Sequence, residues 1–198
     1  MRILYFLWIF LFLISCGSEN VKTNNNNDQN KKSGETKVSL IEFCASTNTC
    51  RKNQRVKFMT SDGLVDHTID LYWPVVFENI ISLLPGDNVF IEAEIIEGEV
   101  VNLNQIKEIV NPNKTITFNF TQMDEGEEGM MLEVKNPFND IIKLNINMVD
   151  FEGNYHETSS CPVLSNKRVF EIWPHAIPEL IISRVFILKD NKSMLCEY

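Results

Sequence analysis

Histidine is scarce: His67, His156 and His175 are the three in 198 residues. None forms a closely spaced pair, which removes the helix-borne zinc site, and neither a Gly-x-Ser-x-Gly elbow nor a phosphate-cradling glycine loop occurs. Each histidine is expected in a surface or packing role. Basic residues are also few: 18 Lys and Arg stand against 27 Asp and Glu, a net charge of −9. Phosphate backbones and anionic headgroups repel such a surface, which excludes nucleic acid as a partner. Behind the N-terminus no stretch sustains a long 3.6-residue apolar period, so a helical bundle is excluded. With so poor a catalytic inventory the chain is not expected to be an enzyme, and no cofactor is expected.

What is present begins with Arg2 and twelve consecutive apolar residues, Ile3 to Ile14. A spanning helix needs about 20 apolar residues, so this run is too short for a permanent anchor and has the order of a signal peptide over residues 1–15. It ends in Leu13-Ile14-Ser15-Cys16, which resembles the lipobox of bacterial lipoproteins: a branched apolar residue, a second apolar residue, a small residue, then Cys. The resemblance implies a diacylglycerol on the Cys16 thiol, cleavage before Cys16 and, in many bacteria, acylation of the new amine. The membrane is then met through lipid. Gly17 resembles the outer-membrane default of Gram-negative lipoproteins, where Asp commonly signals inner-membrane retention. Removing residues 1–15 deletes only Arg2 among charged groups and takes the net charge from −9 to −10.

Assigning Cys16 to lipid leaves Cys44, Cys50, Cys161 and Cys196, an even set in a compartment where disulfides persist. Small, turn-prone residues separate Cys44 from Cys50, so sequence nearness favours Cys44 with Cys50 and Cys161 with Cys196. Zinc pairs use two to four intervening residues and redox pairs two; Cys44 and Cys50 have five. Structural bridges are expected rather than a metal site.

From Cys16 to Lys37 the chain is polar and Asn-rich, including Asn24 to Asn27. Such a tract cannot offset its ordering entropy and is expected to be a disordered tether reaching roughly 25 Å. Behind it, short β-branched and aromatic runs alternate with turn residues. Strands are expected over Val38–Phe43, Arg55–Met59, Thr68–Trp73, Asn88–Ile95 and Glu99–Leu103, with a hairpin turn at Glu97-Gly98 and a short helix over Asn102–Val110. A second series covers Thr115–Thr121, Met130–Val134, Ile141–Met148, Lys167–Ile172, Leu180–Leu188 and Ser193–Glu197. The pattern predicts an all-β chain, a sandwich or barrel.

Asn111-Pro112-Asn113-Lys114 is a turn-rich break between the two series. An internal echo spans it: Trp73-Pro74 through Ser82 is similar to Trp173-Pro174 through Ser183. Two tandem β domains, 38–112 and 113–198, are therefore expected. Around Asn136-Pro137 the strand, Asn-Pro turn, strand unit from Leu132 to Leu144 resembles immunoglobulin-like and fibronectin-III-like sandwiches. That resemblance implies an immunoglobulin-like β-sandwich and no activity.

Candidate binding residues are Trp73 and Trp173, which if exposed would form a platform for a sugar or partner, and if buried would fill a core. Asp124, Glu125, Glu127 and Glu128 crowd one turn and could offer oxygen ligands to Ca²⁺, although EF-hand spacing is absent and a solvated hairpin tip is the plainer expectation. The expected function is a lipid-anchored, non-catalytic cell-envelope protein that binds an envelope component or joins an assembly. A module for carbohydrate or another envelope polymer is the second reading. A hydrolase with a site assembled from distant residues is the third.

Overall fold

Residues 39–124, 126–189 and 194–196 are described by the computed structural model. The expected signal peptide, Cys16 and the tether lie outside the described residues, as does Glu125. Where a strand was expected over Val38–Phe43, the chain instead forms a helix, α1 (Leu40–Ser46). The reason is a capping box: Ser39 Oγ accepts from Glu42 N, and Glu42 Oε2 accepts from Ser39 N, satisfying two orphan donors. Cys44 on α1 is bonded to Cys50 with a Cα–Cα distance of 5.7 Å. Cys161 is bonded to Cys196, so both expected pairings are present.

From Cys50 the chain enters a hairpin, β1 (Arg51–Thr60) and β2 (Gly63–Tyr72), paired antiparallel as a sheet of its own. Its inner side chains, Val56 and Phe58 with Val65, Ile69 and Tyr72, pack on Leu84 and Ala176. Near the tip, the Gln122 side-chain amide substitutes for a neighbouring strand: its Oε1 accepts from Met59 N at 2.9 Å and its Nε2 donates to Met59 O at 3.0 Å.

The other strands are β3 (Val76–Phe77), β4 (Ile80–Leu83), β5 (Asn88–Ile96), β6 (Glu99–Ile106) and β7 (Thr115–Gln122). They continue with β8 (Met130–Lys135), β9 (Ile142–Val149), β10 (Tyr155–Thr158), β11 (Arg168–Trp173) and β12 (Glu179–Ile187). All pairings are antiparallel, in the order β10-β9-β12-β6-β5-β7-β8-β11, with β4 also on β12 and β3 on β4. The ladder doubles over through the β5–β6 hairpin, whose turn residues Glu97 and Gly98 both have positive φ, 54° and 89°, as a two-residue I′ turn demands. Ile91, Phe118, Leu132 and Val134 of β5, β7 and β8 share one buried cluster with Leu144, Ile146, Leu180 and Ile182 of β9 and β12. Each such side chain contributes about 1.5–3 kcal/mol by leaving water. The result is an all-β, sandwich-like fold with its core between two layers.

Two expectations are corrected here. Residue 112 is not a domain boundary: β5 pairs with β7 across it, β4 and β6 pair with β12, and the core draws on both sides. Residues Val38–Tyr198 make one compact unit because strands before the break supply neighbours for strands after it. Nor is Asn102–Val110 a helix, since β6 runs on to Ile106, which pairs with Phe90 of β5; Asn102 with φ 55° marks the β5–β6 irregularity. Of the strand expected over Ser193–Glu197, residues 194–196 are described and are irregular. Among the described residues no helix is long and apolar enough to cross a membrane.

Candidate functional site

Side chains of β9 and β12 alternate between the core and an outer face. Leu144 and Ile146 go inward, while Asn145 and Asn147 go outward. In register, Glu157, Asn147, Ile181 and Ser82 line up across β10, β9, β12 and β4, and Tyr155, Val149 and Glu179 form the next row. This outer face is the floor of a trough. Its central segment, about 580 Å³, is walled by Trp73 and Phe77 on the β4 side and Tyr155 on the β10 side. It continues past Asn147 and Ser183 into a polar segment of about 330 Å³, and past Tyr72 and Glu179 into an apolar one of about 450 Å³ that reaches Phe58 and Phe151.

Trp73, the residue after β2, is half-buried and held by Phe43 at 5.3 Å and Phe77 at 5.3 Å between ring centroids, so α1 props one wall of the trough. Trp173 does not join it. It is 6 % exposed in the core, its indole N–H donating to Thr158 Oγ1 at 2.7 Å, because β11 turns that position inward. The echo between the two Trp-Pro segments does not extend to their tryptophans, although the runs behind them meet: Ile81 and Ser82 of β4 pair directly with Ile182 and Ile181 of β12.

At the floor itself lies a polar network that sequence reasoning missed. Tyr72 OH donates to Glu179 Oε2 at 2.7 Å, and Ser82 Oγ donates to Glu179 Oε1. Arg51 donates to Ser82 Oγ, to Trp73 O at 2.8 Å and to Asp87 Oδ2 at 2.9 Å, and its guanidinium lies 5.1 Å over the Tyr72 ring. Burial, together with the Glu179 carboxylate, pushes the Tyr72 hydroxyl well above its ordinary range, so it remains a donor. Burial likewise pushes the Asp87 carboxyl up, opposed by the Leu84 N–H and Arg51. Both oxygens of Glu179 are thus engaged, and Ser82 is buried. These groups hold the hairpin against β4 and β12; they do not present a free nucleophile and base to the trough.

The opposite wall is a loop organised by Asp150. Oδ1 accepts from Glu152 N at 3.0 Å and Asn154 N at 2.8 Å; Oδ2 accepts from Asn154 Nδ2 at 3.0 Å and lies 2.8 Å from His156 Nε2. The His156 bond, then those from Asn154, hold the Asp150 carboxyl well below the usual range. A depressed carboxylate stabilises the fold above its unfolded value of about 3.9 and loses that contribution as pH falls through the folded value. Amides of Glu152 and Asn154 are therefore expected to lose hydrogen-exchange protection below about pH 4. Asp150→Ala is expected to cause the same loss at neutral pH; unchanged protection in the variant would show that the loop is held by other contacts.

The remaining candidates fall elsewhere. His67 is exposed and borders the apolar segment of the trough; His175 is exposed beyond Trp173. Asp124 and Glu127 are exposed and Glu128 half-exposed on the β7–β8 turn, and among the described residues no group of three or more His, Cys, Asp or Glu side chains could hold a metal ion. Sequence signals for the outer face existed in Asn145 and Asn147, the polar positions that alternate with Leu144, Ile146 and Met148 along β9. No family model matches the chain, and no curated protein or solved structure matches it either.

Proposed function

We propose that this chain is an exported lipoprotein, anchored to the membrane at Cys16, whose β domain is a non-catalytic binding module of the cell envelope. In a Gram-negative host the lipobox and Gly17 favour the outer membrane. Two disulfides that use Cys44, Cys50, Cys161 and Cys196 support export to an oxidising compartment, and they leave Cys16 as the odd cysteine.

The observation that carries the binding role is the trough, which gathers aromatic walls and a polar floor on one sheet face. Its carboxylate, hydroxyl and phenol are committed to one another and to Arg51. The half-exposed Trp73 and Phe77 and the exposed Tyr155 favour the carbohydrate or envelope-polymer reading within this class.

An immunoglobulin-like architecture fits the strand neighbours. The run β7-β8-β11 has the order A-B-E, and β10-β9-β12 has the order C′-C-F. The place of strand G beside F is taken by β4, from earlier in the chain. Whole-cell crosslinking followed by affinity purification of the full-length protein tests the function. A specific envelope component is expected; failure to recover one, together with turnover activity in the purified protein, would overturn the reading.

A further inference from the structure

We propose that the trough binds a neutral, hydroxyl-rich glycan chain, laid along the outer face of β9, β12 and β4 between the Trp73 and Tyr155 rings. This rests on the binding-module reading and names its ligand. A sugar ring offers C–H faces that are apolar and a rim of hydroxyls. Aromatic faces bury the first, and amides and hydroxyls bond the second.

The trough supplies both in the required places. Trp73 and Phe77 stand on one bank and Tyr155, 66 % exposed, on the other. Between them and beyond, Asn147, Ser183 and Glu157 face the open channel. From Val149 to Asn145 the floor alone runs about 14 Å, the length of an extended four-residue step, so a chain rather than a single ring fits.

Charge and backbone pairing narrow the occupant. Among the described residues no Lys or Arg lines any of the three segments, whereas Glu157 and Glu179 do. An anionic polymer would be repelled by the Glu157 carboxylate, while Glu179 already shares the Arg51 network. An extended peptide gains most by adding to a free strand edge. Here β12 is paired by β9 and β4, and β9 by β10 and β12, so the centre of the floor offers no open ladder, and the one free edge among its strands is that of the four-residue β10 at its border. A neutral chain read by stacking and side-chain hydrogen bonds remains the best match to the face.

The test titrates the purified protein with neutral hexasaccharides of glucose, mannose, xylose and N-acetylglucosamine, by calorimetry and tryptophan fluorescence. Polygalacturonate and a proline-rich peptide serve as competitors. Saturable binding to at least one neutral chain is expected, with none to polygalacturonate. Tyr155→Ala is expected to weaken it roughly tenfold, the effect of losing one stacked ring. Asn147→Ala is expected to weaken it as well. Trp73→Ala is expected to act likewise but also disturbs Phe43 and Phe77, so the exposed Tyr155 and Asn147 variants carry the test. No binding of any neutral chain at millimolar concentration, binding indifferent to Tyr155→Ala and Asn147→Ala, or preference for the peptide would overturn the glycan inference. Preference for the peptide would leave the binding-module reading intact. Hydrolysis of a bound chain would instead sink the non-catalytic reading while supporting the ligand class.

Discussion

Asp87→Ala is expected to destabilise the protein by about 3–5 kcal/mol, because it strands a buried guanidinium. The Arg51 and Asp87 side chains are 7 % and 8 % exposed and meet at 2.9 Å. Without Asp87, Arg51 keeps Ser82 and the Trp73 carbonyl but loses its counter-charge, and the Leu84 N–H loses its acceptor. Replacing both partners by apolar residues, Arg51→Met with Asp87→Leu, is expected to restore part of the loss, since the buried guanidinium and its counter-charge then leave together. By contrast, Asp66→Ala, which breaks the exposed Arg55–Asp66 pair on the hairpin surface, is expected to leave stability nearly unchanged. Urea unfolding of the four proteins decides the matter. A loss below about 1 kcal/mol for Asp87→Ala would mean that the network does not hold the hairpin. Because Trp73 directly follows β2 and its carbonyl accepts from Arg51, the same variant is also expected to loosen one wall of the trough.

Cys16→Ser is expected to abolish incorporation of radioactive palmitate and to release or mislocalise the protein. The effect is expected to be large because the proposed anchorage rests on lipid alone. Each buried methylene contributes about 0.8 kcal/mol, and two or more long chains exceed the marginal case of one. An acidic domain with a net charge of −9 for the full chain gains nothing from anionic headgroups to replace that anchor. Lipid labelling and membrane fractionation measure the outcome directly, and unchanged labelling of the serine variant would remove the assignment.

Most of the strands were legible because their signal is local. Ile116, Phe118 and Phe120 share one face of β7, and Glu97-Gly98 offered the residues that an I′ turn accepts. Both disulfides followed from counting cysteines and from sequence nearness. What escaped was decided by partners distant in sequence. β4 looks like an ordinary apolar run, and its place beside β12, roughly 100 residues later, is a tertiary choice. The same choice erased the expected boundary at residue 112. The α1 helix was readable after all, in the Ser39 to Glu42 spacing, but a short apolar run allows strand and helix alike. Of the candidate site, Trp73 was visible and Trp173 looked equivalent; only the facing of β11 separates them. Tyr72, Ser82, Glu179 and Arg51 come from four elements and carry no spacing that a sequence could display.

Site-specific photocrosslinking in intact cells tests the proposed anchored binding module most directly. A benzophenone side chain placed at Tyr155 lies at the rim of the trough, exposed and clear of the core. A discrete adduct with an envelope component is expected, weakened by Asn147→Ala and lost when Cys16→Ser removes the protein from the membrane. No adduct from the rim of the trough, or an adduct of unchanged yield in the Cys16→Ser protein, would contradict a lipid-anchored protein that binds through this face.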